Sequence, residues 1–272
     1  MTRTSKSGNE SGGGSENTQV LGSFPTSVLD SDTKKMIDVR MEIARRSQVA
    51  VAETALGNLA FDKQDFAGAV HHYDSALKVV PSHVEALGNR ANVKCAVSDF
   101  HGAIKDTTRV IELTIKRGVR EQEEKFNLAV VYYTQAEAYF HLKSFYDSLR
   151  DCDHTLDLWP PFGEALCLRG ATHNALGNFK TALKDLCAAL RLKPNYAMAF
   201  RHRGICLCCL GDFASSVKDL ERALKLDAKD EAALAWLGKA SAELRVEEEA
   251  AERAGESVRE REERGDKLRR CF

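Results

Sequence analysis

Leu168-Arg169-Gly170-Ala171-Thr172-His173-Asn174-Ala175-Leu176-Gly177-Asn178-Phe179 is answered, thirty-four places on, by His202-Arg203-Gly204-Ile205-Cys206-Leu207-Cys208-Cys209-Leu210-Gly211-Asp212-Phe213. The shared frame is Arg-Gly, then Leu-Gly, a small polar residue and Phe. A fixed period of this size marks a stacked repeat, in which no unit can bury its apolar face alone. Extended in both directions, the frame sets units at 50–83, 84–117, 129–162, 163–196 and 197–230, with a partial sixth from 231.

Each unit reads as two helices of about twelve residues. Small residues at the eighth and twentieth places (Gly57 with Ala69, Gly170 with Ala182, Gly204 with Ser216) let two backbones approach closely, and a Phe at the seventeenth fills the space beside them. Pro81, Pro160 and Pro194 stop the second helix, because proline lacks the N–H and clashes with the preceding turn. Arg90, Arg169 and Arg203 at the seventh place are answered, at one constant spacing, by Asp106, Asp185 and Asp219. These are expected to be structural pairs between the two helices, the alternative being an Arg ladder for ligand phosphates. The period slips once: the residue matching Ala91 is Ala136 instead of one a single period away, so eleven residues are inserted at 118–128. Gly118 is a natural helix stop and the rest is helix-compatible, which predicts unusually long helices there.

The chain has 272 residues, with 39 basic against 40 acidic, and a net charge of -1. No global field steers it to nucleic acid or an anionic membrane, and no apolar run approaches a membrane span. Eight cysteines scattered through a helical array do not resemble a secreted disulfide framework, so reduced thiols and a cytoplasmic, or else nuclear, location are expected. Residues 1–30, with Gly12-Gly13-Gly14, are expected to form a disordered tail whose apolar island, Val20 to Leu29, is linker or a short docking motif. A leading helix is expected over 31–49, with Met36, Ile37, Val39, Met41 and Ile43 on an apolar face. The array runs over 50–244, and 245–272, dominated by Glu and Arg, is expected to be a charged capping helix and tail.

These residues, in this order and spacing, resemble the tetratricopeptide-repeat family, and the resemblance covers residues 50 to 244. It implies an all-α fold: a right-handed superhelical solenoid of stacked antiparallel helix pairs, whose first helices line a concave groove that binds an extended peptide or a partner's helix. The family's groove positions fall on Asn89, Asn92, Tyr133, Glu137 and Phe140, and further along on Asn174, Arg201, His202 and Cys208. That lining is neutral to mildly acidic, with an aromatic middle and a basic end near Arg201 and Lys239. The family's clamp for the acidic tails of heat-shock chaperones needs two asparagines, matched by Asn58 and Asn89, and three cations, where this chain has Thr54, Val130 and Thr134.

No phosphate-binding glycine loop, no His-Glu-x-x-His and no nucleophile elbow is present. Cys206 and Cys209 have CxxC spacing, but no second pair accompanies them; Cys206 is expected to face the interior, with Cys208 and Cys209 on the groove. The expectation is a non-catalytic adaptor or assembly scaffold that binds other proteins, without cofactor or metal. One alternative is a co-chaperone adaptor with an incomplete carboxylate clamp, and the other a thiol or metal-binding protein acting through Cys206 and Cys209.

Overall fold

The computed structural model describes residues 31–254. The tail expected over 1–30, and residues 255–272 of the charged C-terminal segment, lie outside the described residues. The described residues divide into two units, one ending at Arg45 and the other beginning at Arg46. The described residues form eleven helices and no strand: α1 (Ser31–Asp62), α2 (Phe66–Val79), α3 (Val84–Ala96), α4 (Phe100–Arg117), α5 (Gln122–His141), α6 (Phe145–Leu158), α7 (Gly163–Ala175), α8 (Phe179–Leu192), α9 (Ala197–Cys209), α10 (Phe213–Leu226) and α11 (Glu231–Ala254). Of the first unit, only the start of α1 is described, and there Met36, Ile37, Val39, Met41 and Ile43 are exposed.

In the second unit each part of the repeated frame has a physical task. Gly177 and Gly211 take left-handed φ angles of 76° and 84° in the turn between paired helices, and Gln64, Ser98 and Lys143 hold the same place at 61°, 64° and 60°. One residue later comes the helix cap: Asp65, Asp99 and Asp212 accept hydrogen bonds from the backbone N–H of Gly68, Gly102 and Ser215. The glycine after the arginine marks the closest helix approach. A Cβ on Gly170 would sit 2.8 Å from Leu186 Cγ and 3.2 Å from the Ala182 carbonyl, and one on Gly204 2.7 Å from Leu220 Cγ. The core is accordingly rich in alanine, with Ala69, Ala76, Ala103, Ala182, Ala189 and Ala223 fully buried.

The arginines form a ladder. Arg90, Arg169 and Arg203 each donate from Nε and Nη2 to both oxygens of Asp106, Asp185 and Asp219, at 2.6 to 2.8 Å. The third nitrogen reaches back to the preceding repeat: Nη1 of Arg90 donates to Asp74 at 2.5 Å and Nη1 of Arg169 to Asp153 at 2.7 Å. One guanidinium thus ties three helices together. The third repeat breaks the ladder, since Gln135 stands at the arginine place. Its amide donates to Thr108 Oγ1 at 2.8 Å, and the buried Asp151 is held only by its neighbour Arg150, with Oδ2 lacking a partner. Burial pushes the Asp151 carboxyl pKa above its ordinary range, against the attraction of Arg150.

The insert is absorbed wholly into helix. α4 has 18 residues where the other second helices of the array have 14, and α5 has 20 where α3, α7 and α9 have 13. The four and seven extra residues account for the eleven inserted. Four residues are about one helical turn and seven about two, so the apolar faces on either side keep their register. Gly118 ends α4 at φ 85°, and Glu121 with Glu124 forms a capping box that starts α5.

Gly170→Ala and Gly204→Ala are expected to lower unfolding free energy by about 1–3 kcal/mol. Gly238→Ala, whose Cβ meets nothing within 4 Å, should raise it by up to about 1 kcal/mol; denaturant titration separates the two classes. Because the Asp151 carboxyl ionises later in the folded chain than in the unfolded one, its contribution falls as pH rises through the carboxylate range. Asp151→Asn should flatten that slope, and Gln135→Arg should raise the melting temperature by completing the ladder.

Candidate peptide-binding groove

The first helices of successive repeats pack on one another, α3 on α5, α5 on α7, α7 on α9 and α9 on α11, in addition to their contacts with sequence neighbours. The second helices make no comparable set of contacts among themselves. The first helices therefore lie on the inner side of the stack, and the hollows between them face inward.

Two adjoining hollows run across the first four repeats. One, of about 310 Å³, is lined by Asn58, Phe61, Asp62, Tyr73, Asn89 and Asn92. The next, of about 470 Å³, shares Phe61 and Asn92 and adds Cys95, Phe100, Tyr133, Glu137, His141, Phe162 and Glu164. The floor is aromatic: the Tyr133 and Phe162 rings lie 5.2 Å apart, and Phe100 stacks on His141 at 4.7 Å. Phe126, brought by the insert, lies 6.3 Å from Phe162 and 5.2 Å from Trp159, extending the cluster along α5.

Polar groups in these hollows are held by one another. Asn58 Oδ1 accepts from both Tyr73 Oη and Asn89 Nδ2, each at 2.8 Å, and Asn92 Oδ1 accepts from Thr134 Oγ1 at 2.8 Å. The clamp positions are spoken for: Thr54 is buried and donates to the Ala50 carbonyl at 2.7 Å, and Thr134 is buried under Asn92. Glu137 stands in the middle of the second hollow. Burial pushes its carboxyl pKa up, with His141 opposing, and burial together with Glu137 pushes the Cys95 thiol up to about 12. Glu164 is paired with Lys193.

Of the residues singled out from the sequence, Asn58, Asn89, Asn92, Tyr133 and Glu137 line these hollows together. Phe140 packs its ring on Phe145 at 5.9 Å and on His141 at 5.8 Å, at the α5–α6 turn. Asn174, Arg201 and His202 form a separate group, in which Asn174 Nδ2 donates to the His202 carbonyl at 3.4 Å. The basic end expected near Arg201 does not exist as a free charge: Arg201 donates to Asp230, whose side chain is 7% exposed, at 2.9 Å. Lys239 lies over the Trp236 ring, 4.6 Å from its centre. Burial, and then the Arg201 guanidinium, depress the His202 pKa to about 4.

Cys208 is a correction. It is 6% exposed and packs with Leu220, Ala223, Ala233 and Ala240 between α9, α10 and α11, because α11 covers the face that the sequence leaves toward the groove. Cys206 packs in a different cluster, with Cys167, Leu186 and Ala199, and burial pushes its thiol up to about 12. Cys209 is exposed. Among the described residues no group of three or more His, Cys, Asp or Glu side chains is placed to hold a metal. Sequence reading missed Phe61, Phe100 and Phe162. Phe61 occupies the same place in its unit as Phe140, so the period itself contained that signal.

Paired helices at a fixed period, with an open groove along the first helices, define a helical-repeat solenoid. Profiles of the tetratricopeptide repeat match residues 54–93 and 210–261, and a second profile of that repeat matches 163–196. The chain carries tetratricopeptide repeats over these stretches, and such repeats are protein-interaction modules. It is 33% identical over 57 residues, 21% of its length, to Hsp70-Hsp90 organizing protein 2 of Arabidopsis thaliana, and 38% identical over 56 residues, also 21%, to Hsp70-Hsp90 organizing protein 1 of Glycine max. Each match spans 10% of the relative's own length. Among solved structures, a tetratricopeptide repeat protein from Parabacteroides merdae ATCC 43184 superposes with a TM-score of 0.56 at 16% identity, covering 72% of this chain and 74% of that one. MamA superposes with a TM-score of 0.54 at 20% identity, covering 68% and 96%. These two establish the fold alone. No helix among the described residues is long and apolar enough to cross a membrane.

The depressed His202 pKa has a signed consequence. The unfolded chain takes up a proton on this side chain near pH 6.5, whereas the folded chain resists until about pH 4. Stability contributed by neutral His202 is thus present above pH 6.5 and lost between 6.5 and 4. His202→Gln should reduce the fall in melting temperature across that window, measured against the parent chain.

Proposed function

We propose that the chain is a non-catalytic adaptor whose inner groove, from α1 to α7, holds an extended peptide or a helix of another protein. The carrying observation is the composition of the two hollows. Phe61, Phe100, Tyr133 and Phe162 offer apolar and aromatic surface, Asp62, Glu137 and Glu164 line it, and no lysine or arginine is among the lining residues. A ligand with apolar anchors and one or more basic side chains gains burial on the rings and a partner for Glu137. A ligand ending in several carboxylates meets no Lys or Arg among these lining residues, and the Lys193 beside them is already paired with Glu164. This supports a scaffold for a basic, apolar segment.

A second reading has its own observation. Asn58 and Asn89 stand bonded together, and a short stretch of the chain is similar to Hsp70-Hsp90 organizing proteins. An acidic chaperone tail would then be gripped by the asparagines without the cations of a full clamp.

Immobilised full-length chain should retain partner proteins from lysate, lose them when Phe61→Ala is combined with Tyr133→Ala, and keep them in Tyr146→Ala, a residue 80% exposed on α6. Retention by the double variant would contradict the groove reading. In peptide titrations, an acidic peptide with a free C-terminal carboxylate should bind at least about tenfold more weakly than a basic, apolar one, a gap of about 1.4 kcal/mol. Tight binding of the acidic peptide, lost in folded Asn58→Ala and Asn89→Ala chains, would replace this reading with the co-chaperone one.

A further inference from the structure

On the side of the stack away from the groove, a cleft of about 560 Å³ opens between the second helices α8 and α10, over α9. Leu183 and Leu207 are buried in its floor. Its charged lining is Lys184, Arg191, Arg203 and Lys218 against the single carboxylate of Asp219, four cations to one anion. Lys184, Arg191 and Lys218 are exposed and make no hydrogen bond or ion pair among the described residues.

The repeat provides an internal control. One period earlier, the same places between α6 and α8 are Arg150, Asp153, Asp157, Arg169, Lys184 and Asp185, three cations balanced by three carboxylates. Two substitutions between repeats create the imbalance: Cys187 stands where Asp153 stands, and Arg191 where Asp157 stands. The first leaves a mark on the ladder. Nη1 of Arg90 and of Arg169 each donates to a carboxylate, whereas Nη1 of Arg203 has only the Cys187 sulfur, at 3.7 Å. A thiol is a weak acceptor, so a guanidinium N–H is left poorly satisfied beside this cleft.

We propose that this cleft is a phosphoryl-binding site. A phosphoryl group brings a charge of about -1.5 to -2 and three strong acceptor oxygens, which suits three unpaired cations and the Arg203 Nη1, whereas one carboxylate has two oxygens and a single charge. The cleft volume falls in the range of small-molecule sites, and its leucine floor accepts an apolar body attached to the phosphoryl group. The group arrives either on a small phosphorylated molecule or on a phosphorylated side chain of a partner protein. The site lies on the outer side of the stack and does not depend on what the inner groove binds.

The test uses the full-length chain, with calorimetry for inorganic pyrophosphate and fluorescence anisotropy for a labelled phosphoserine peptide beside its unphosphorylated form. Saturable binding of pyrophosphate is expected, and preference for the phosphorylated over the unphosphorylated peptide would assign the source to a partner protein. Lys184→Ala combined with Arg191→Ala should weaken binding at least about tenfold, the scale of lost charge-assisted contacts. Lys105→Ala combined with Lys116→Ala, exposed on α4, should leave it unchanged. Cys187→Asp restores the carboxylate that Asp74 and Asp153 supply to Arg90 and Arg169, so it should abolish binding while holding or raising the melting temperature, which separates loss of the site from loss of the fold. No saturable binding of any probe, or binding by Cys187→Asp as tight as that of the parent chain, would overturn the proposal.

Discussion

The distance between the two helices of a repeat governs the rest of the structure. At Gly170 and Gly204 the facing helix comes so near that even a methyl group would meet Leu186 or Leu220 within 3 Å. That contact demands a residue with no side chain or only a methyl group at one fixed place, glycine in the fourth and fifth repeats and the buried Ala91 and Ala136 in the second and third, with a small residue twelve places later and a turn of fixed length between them. A chain that satisfies it once can stack copies only if each satisfies it again, and the constant period that carries Gly170 onto Gly204 is the result. Burial across such close helices comes mainly from alanine and from the few large side chains, such as Tyr73, Leu186 and Leu220, that fill the space beside each approach.

Upon this frame the polar ladder adds direction. An arginine that holds one aspartate with two nitrogens and another with the third fixes both its own helix pair and the preceding repeat. The two irregular places show how the frame tolerates change. At the third repeat Gln135 replaces the arginine and still reaches back to the preceding repeat, at Thr108, because the eleven inserted residues between them are taken up as whole helical turns. Between the fourth repeat and the fifth, Cys187 replaces an aspartate, and the outer surface acquires an uncompensated positive charge.

Much of the fold was legible because packing at close approach is a local, periodic demand on residue type. Glycine or alanine at the eighth place, Phe at the seventeenth and an Asp at constant spacing from each ladder Arg are all visible in one dimension. The groove was legible only in part. Tyr133, Glu137 and the three asparagines lie where a repeat position alone puts them, but Arg201 and Cys208 do not, because their surroundings depend on the next repeat: Asp230 neutralises the first and α11 covers the second. Phe162 and Trp159 flank the helix-stopping Pro160 in sequence, yet in space they meet Phe126 from the insert, a contact that no single repeat encodes.

The constant frame sets the groove's shape, while the side chains that vary within it set what enters. Selection of random displayed peptides on the immobilised full chain is the most direct test. The expected result is enrichment of sequences with aromatic or aliphatic anchors and flanking Lys or Arg, bound competitively with one another at the Phe61 and Tyr133 hollows. Enrichment of acidic sequences with free C-terminal carboxylates, or of sequences indifferent to changes at Phe61 and Tyr133, would contradict it.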